Sequence, residues 1–332
     1  MATRLPAVGS SVPLLLTDWY RHRVLLVARN GSLYTAAGCG VAGFAGDGGD
    51  ARTAQLQYPT ALAAAVSDEG DAVRLPVARF WIVDTNNHVV RFVGRNGIIL
   101  TAVGNASAGN GFAGDGGPAT SALLQSPSSV AVWADKEVGA PELWVADAGN
   151  RVVRHVDAHG IIRTLFGAGR TSAGQPYDAD GNVLLGSLSG LSVVRNATSE
   201  RVRVYVADPT HHRVLLWTLD NNFTLIAGNR TSGGYSGDGG PAAQASLNYP
   251  GALFAWPNAT TGADEVWICD TQNYRVRAVD SATRSIRTVI GTGAFGYYGH
   301  GTPATESTIN YAGQLAVLHA AADDPRAPAF HM

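Results

Sequence analysis

Short apolar runs that close on an aspartate and give way to a polar turn recur five times along the chain. The aspartates are Asp18, Asp84, Asp147, Asp208 and Asp270, at steps of 66, 63, 61 and 62 residues. The runs before them are Pro13–Thr17, Phe80–Val83, Leu143–Ala146, Val204–Ala207 and Val266–Cys269. Apolar residues at successive positions predict strands buried on both faces. A second strand follows each turn, as in His88–Val93 and Tyr274–Val279, and a third follows a short break, as in Ile98–Val103 and Ile286–Ile290. A Gly-rich connection then ends near a proline and leads to a fourth strand, such as Ser128–Trp133 or Gly251–Trp256.

Four short antiparallel strands per repeat describe one propeller blade. With strands lettered a to d from the inside outward, the chain begins at strand b and ends at strand a, Gly313–Leu318. The C-terminal strand then joins the N-terminal blade, which leaves no open sheet edge. The predicted fold is all-β: a five-bladed β-propeller of four-stranded antiparallel blades, with residues 1–332 as one domain. The tail Ala327–Met332 is similar to Pro76–Trp81, which leads into a strand b, so a chain that continued would form six blades.

Composition narrows the function. The chain has 332 residues with 40 glycines, 15% charged residues and a net charge of -2, so it lacks the clustered basic footprint of a nucleic-acid binder. No apolar run approaches the length of a membrane-spanning helix. Val12–Leu16 is too short and too late for a signal peptide, so a secretory signal or anchor is expected outside this chain. Cys39 in a long loop and Cys269 in a strand make no disulfide framework.

Three of the long connections carry Gly-Asp-Gly-Gly, at 46–49, 114–117 and 237–240, and two degenerate copies surround Asp180-Gly181-Asn182 and Gly299-His300-Gly301. Together with Asn-Tyr-Pro-Gly at 248–251 and turns such as Val145–Val152, these segments resemble the NHL-repeat family of β-propellers over nearly the whole chain. The resemblance implies the propeller fold but not one activity, since that family includes binding scaffolds, receptor ectodomains, kinase sensor domains and an amidating lyase. Locally, the glycines suit positive φ, and Asp-Gly-Gly-Pro suits a cap on a short helical turn with Pro in its first position. Asp at the end of strand b with Asn or His three residues later suits a side-chain-bonded turn.

A residue repeated in every blade is expected to hold the blade together rather than to bind one ligand. The loop carboxylates Asp47, Asp115 and Asp238 are therefore read as loop braces. The segment Asp178–Asn182 starts like a calcium loop but has Val183 at the sixth position and Ser189 at the twelfth, so no calcium site is expected. Phe44, Phe112, Tyr177, Tyr235 and Tyr297 recur three residues before the loop aspartate, as loop plugs or as stacking surfaces for a sugar or peptide. Trp81, Trp144, Tyr205 and Trp267 sit three residues before the turn aspartate and are assigned to the inter-blade core. His22, His88 and His212 align with Arg151 and Tyr274 at the b–c turn. Three aligned imidazoles suggest a zinc site, yet equivalent positions on different blades diverge by more than the ~4 Å that two metal–nitrogen bonds span, so no metal or cofactor is expected. No nucleophile elbow, His-Glu-x-x-His or P-loop occurs.

Six Asn-x-Ser/Thr sequons, at Asn30, Asn105, Asn196, Asn222, Asn229 and Asn258, exceed the roughly two that chance predicts. Alternating strand direction puts the b–c turns and long d–a loops on one face, and the a–b and c–d turns on the other. Asn30, Asn196, Asn222 and Asn258 map to the second face, so the Gly-rich face is the expected partner surface. The sequence thus reads as a non-catalytic, extracellular or cell-surface module that binds a protein or glycan through its long-loop face. The alternatives are a metal-dependent lyase or hydrolase using His22, His88 and His212, and an intracellular interaction scaffold.

Overall fold

The computed structural model describes residues 14–28, 31–65, 79–133, 140–167, 184–195, 201–220, 222–228, 232–258 and 263–313. They form nineteen strands joined by turns and single-turn 3-10 helices, the blades of a five-bladed β-propeller. The chain divides into two compact units, 1–184 and 185–332.

The first unit holds three blades. The first has β1 (Leu14–Asp18), β2 (Arg23–Val27) and β3 (Leu33–Ala37); the strand expected beside them, at 313–318, lies outside the described residues except for Gly313. The second has β4 (Pro59–Ala65), β5 (Arg79–Asp84), β6 (Val89–Val93) and β7 (Ile99–Val103). The third has β8 (Ser129–Trp133), β9 (Glu142–Asp147), β10 (Val152–Val156) and β11 (Ile162–Phe166). The second unit holds two blades: β12 (Gly190–Arg195), β13 (Val202–Asp208), β14 (Arg213–Thr218) and β15 (Phe223–Ala227), then β16 (Pro250–Pro257), β17 (Asp264–Asp270), β18 (Arg275–Asp280) and β19 (Ser285–Ile290). Every strand pairs antiparallel with its sequence neighbour in the blade. In chain order the four strands of a complete blade are a, b, c and d, and the a strands of adjacent blades pack together, β4 beside β8 and β12 beside β16.

The cores lie between blades. Trp81, Val83 and Val90 of the second blade pack with Val130, Leu143 and Val145 of the third. In the second unit Tyr205, Val214 and Ala227 pack with Leu253, Val266 and Ile268. The b strands are the most buried elements, as their apolar runs predict, but β1 departs from this: Leu14 and Leu16 are exposed. The tail 327–332, on which a sixth blade depends, lies outside the described residues. Among the described residues no helix is long and apolar enough to cross a membrane.

Two backbone features recur in all five blades and fix the site geometry. First, the c–d pairing slips by one residue at Val24/Leu25, Val90/Arg91, Val153/Arg154, Val214/Leu215 and Val276/Arg277. Such a bulge turns a side chain that would alternate outward and re-aims it. Second, a glycine closes strand d: Gly38, Gly104, Gly167, Gly228 and Gly291, with φ between 87 and 104°. A Cβ there would stand 2.2–2.7 Å from the carbonyl oxygen of His22, His88, Arg151, His212 or Tyr274. Left-handed backbone and a backbone contact at that range both demand glycine.

Candidate functional site

On the long-loop side of each blade, the b–c turn meets the Gly-rich connection. In the second blade Asp84 ends β5 with its carboxylate fully buried. Oδ1 accepts the Gln57 amide at 2.6 Å and Oδ2 accepts the Asn87 side-chain amide at 2.7 Å, while that same amide donates to the Gly43 carbonyl at 2.7 Å. Asp147 with Gln125, Asn150 and Gly111 repeats the pattern, as does Asp270 with Asn248, Asn273 and Gly234. The expected side-chain-bonded turn is therefore present, and it also ties the turn to the loop.

The cation that completes this arrangement was not among the residues read from the sequence. Arg91, Arg154 and Arg277 follow the turn aspartate by seven residues, at the bulge, and are wholly buried. Arg91 bridges Asp84, 3.6 Å away, and the loop carboxylate of Asp47, 2.6 Å away. Arg154 bridges Asp147 and Asp115, and Arg277 bridges Asp270 and Asp238. Asp47 also accepts the Thr101 amide and hydroxyl. The Gly-Asp-Gly-Gly carboxylates are thus loop braces, but they do not cap the short helix that follows. Pro118 and Pro241 stand at the cap position itself, without a side-chain bond, whereas Asp50 caps its turn through the Arg52 amide. The loop aspartates are drawn instead to the guanidinium, a stronger charge-assisted partner.

A signal for these arginines exists within the repeats. Gly-Asp-Gly-Gly connections lead into the repeats of Asp84, Asp147 and Asp270, each with Arg at the seventh position; the repeats of Asp18 and Asp208 carry Leu25 and Leu215 there. In those two, an arginine five residues after the aspartate pairs with it instead, Arg23 with Asp18 at 3.1 Å and Arg213 with Asp208 at 3.0 Å. His211 replaces Asn in the fourth blade and bonds Asp208 at 2.7 Å.

His22, His88, Arg151, His212 and Tyr274 all adopt left-handed backbone, φ 50–59°, at the end of the b–c turn. Nδ1 of His22, His88 and His212 accepts the backbone amide of Tyr58, Ser126 and Tyr249 respectively, at 3.1–3.2 Å. Each donor residue is itself left-handed and precedes a proline. The imidazoles therefore clasp the end of the long connection, each within its own blade surroundings. Among the described residues no three His, Cys, Asp or Glu side chains come together in a way that could hold a metal ion.

This clasp requires a neutral ring, because a protonated Nδ1 cannot accept. Burial holds His88 and His212 below the ordinary imidazole range. Their contribution to stability is full above the unfolded value near 6.5 and is lost as pH falls through the folded value. Burial acts oppositely on the turn carboxylates, pushing Asp84 and Asp147 up to about 6, so the folded chain gains protons there below neutrality. A His88→Asn, His212→Asn chain separates the two effects, since Asn tolerates left-handed backbone and keeps an acceptor without titrating. Its urea midpoint is expected to fall less than that of wild type between pH 7.5 and 5.5. Parallel pH profiles would contradict the clasp.

The loop aromatics serve two ends. Phe44 and Phe112 lie under Arg91 and Arg154, with 4.8 and 5.0 Å from guanidinium carbon to ring centre, and Tyr235 lies under Arg275 and Arg277. One face of each ring thus closes over a buried cation while the other is partly exposed. Tyr297 is 97% exposed and is no plug. Tyr177, and the segment Asp178–Asn182 beside it, lie outside the described residues. Trp81, Trp144 and Tyr205 are core as expected; Trp267 is half-buried, packs on Trp256 and donates to Glu265.

The more exposed aromatics are ones that the repeat pattern hides. Trp19 and Tyr20 directly follow Asp18, where the other repeats carry Thr-Asn, Ala-Gly, Pro-Thr and Thr-Gln. Their rings lie 4.1 Å apart, with Tyr58 about 6 Å away and His22 edge-on to Tyr58. Trp19 and Tyr20 are 46% and 70% exposed. In the second unit Tyr274 meets the exposed rings of Phe295 and Tyr311 at 5.5 and 5.4 Å. Both clusters stand where b–c turn and long connection meet. Of the sequons, Asn222 is exposed, Asn258 is half-buried, and Asn105 caps a short turn through the Ala108 amide; Asn30, Asn196 and Asn229 lie outside the described residues. Cys39 and Cys269 are both free thiols.

No protein-family model matches the chain, and no curated protein matches it. Solved structures similar to it include an auxiliary nutrient binding protein from Bacteroides thetaiotaomicron, with 11% identity over 83% of this chain and 56% of that one, TM-score 0.49. A gluconolactonase from Xanthomonas campestris has 12% identity over 90% of this chain and 74% of that one, TM-score 0.48. Virginiamycin B lyase from Staphylococcus aureus has 11% identity over 83% and 65%, TM-score 0.42. The chain spans between 56 and 66% of the first three structures matched. The likeness is one of fold.

Proposed function

We propose that residues 1–332 form one NHL-type propeller domain that is a non-catalytic, extracellular or cell-surface binding module, taking a protein or glycan partner on its long-loop face. One observation carries the reading. The polar groups that recur on that face are consumed by the scaffold, whereas Trp19 and Tyr20 break the repeat and leave large rings in solvent. Exposed aromatic patches of this kind are uncommon on monomers and supply contact area at little entropic cost. Phe44, Phe112 and the b–c turn residues His22, His88 and Arg151 extend the surface on the first unit. The six sequons support a secretory route. The same geometry favours binding over the metal-dependent lyase, whose three histidine ligands each already serve a loop amide through Nδ1.

The test is binding of the whole chain to an immobilised glycan panel and to intact cells, with wild type beside Trp19→Ala, Tyr20→Ala. Loss of a central aromatic anchor costs about 2 kcal/mol or more, so binding is expected to weaken roughly thirtyfold with no change in melting temperature. Unchanged binding by the variant would remove these rings from the site.

A further inference from the structure

A cleft of about 470 Å³ opens between the two blades of the second unit. Its apolar wall comes from Leu216 on β14, Leu225 and Ile226 on β15 and Val279 on β18. Arg203, Tyr205, Asp264 and Arg284 supply its charged and polar groups. The cleft coincides with a departure from the repeat. At the position of Tyr205 the second, third and fifth blades carry Trp81, Trp144 and Trp267, so a smaller ring with a polar tip stands here in place of an indole.

The charges in the cleft do not cancel. Asp264 is buried and accepts two hydrogen bonds, from Tyr205 Oη at 2.5 Å and Arg203 Nη2 at 2.8 Å, with Arg203 Nε in ion contact at 2.6 Å. This ion pair sets the Asp264 carboxylate against Arg203, at both of its oxygens. Arg284, on the turn between β18 and β19, is exposed at the rim, and its guanidinium has no carboxylate partner among the described residues. Its backbone is fixed by the Ala242 amide, which donates to the Arg284 carbonyl at 2.8 Å. An exposed arginine thus lines, together with an apolar wall, a space of the size that small-molecule sites occupy.

From this we infer a second binding site, for a small organic monoanion: a carboxylate on an apolar chain or ring. The apolar body lies along Leu216, Ile226 and Val279, and the carboxylate meets Arg284, whose planar fork suits two-oxygen recognition. A neutral amphiphile gains only the wall, and a cationic one meets Arg284 as a like charge.

Titration calorimetry of the whole chain with octanoate, octanol and octylammonium tests the site. Octanoate is expected to bind saturably, with octanol weaker by about tenfold or more, the worth of a charge-assisted hydrogen bond. Arg284→Gln should weaken octanoate by a similar factor, while Arg284→Lys should retain part of the affinity. Ala243→Trp, at an exposed rim position, should block entry without disturbing the core. Octanoate that fails to saturate, or binds the Gln and Trp variants as it binds wild type, would overturn the site. Because Trp19 and Tyr20 take no part, binding of the long-loop partner is expected to be the same in Arg284→Gln as in wild type.

Discussion

Arg154→Met is expected to destabilise the chain by about 3–5 kcal/mol, the cost of breaking a buried ion pair by removing one partner. Arg154 is the sole guanidinium between Asp147, fully buried, and Asp115 on the loop among the described residues. It also donates to the Ala113 carbonyl at 3.2 Å. Methionine fills the stem's volume but leaves the Asp147 carboxylate in a dry environment with only its two amide donors. Asp115→Asn, by contrast, should cost about 1 kcal/mol or less, because the Asp115 side chain is 42% exposed and water replaces the lost charge contact. Urea unfolding of both variants checks the pair. A midpoint for Arg154→Met within error of wild type would mean that the arginine is free for a ligand rather than committed to the scaffold.

Trp81→Ala is expected to cost a similar 3–5 kcal/mol, through the cavity left where an indole is lost from a packed interior. Trp81 is 1% exposed and packs with Ala61, Val83, Val130 and Leu143, its ring 5.0 Å from that of Phe92. The loss falls between two blades, so it should loosen the docking of β5 on the third blade rather than either sheet alone. Thermal unfolding followed by near-ultraviolet circular dichroism measures it. A chain that melts normally but no longer binds its partner would instead make Trp81 part of the site.

Much of this was legible in the sequence because repetition is itself a physical signal. Each blade must present the same strand ends to its neighbour, so Asp84, Asp147, Asp208 and Asp270 recur at near-constant steps, and the four-stranded order follows from the alternation of apolar runs and turns. The turn chemistry of Asp84 with Asn87 was legible for the same reason. The role of Arg91, Arg154 and Arg277 was not, because an arginine in a strand reads as a solvent-facing residue until the bulge at Val90/Arg91 and its counterparts turns it inward. A bulge is a matter of pairing register, which the local sequence does not specify. The aligned histidines were legible as a set but not as clasps, since the amide that each meets lies 36 to 38 residues away in the chain. Trp19, Tyr20 and Arg284 escaped notice for the opposite reason. Aligning repeats brings out what the copies share, while a binding surface is found where one copy departs from the rest.

The most direct test of that division sets Arg154→Met beside Trp19→Ala, Tyr20→Ala, measuring urea stability and partner binding on the same preparations at a temperature where both are folded. The account predicts that Arg154→Met loses stability and keeps wild-type affinity, and that the aromatic variant keeps stability and loses affinity. Affinity lost with Arg154 while stability holds would contradict it, and would put the repeated charges, not the exceptions to the repeat, at the centre of function.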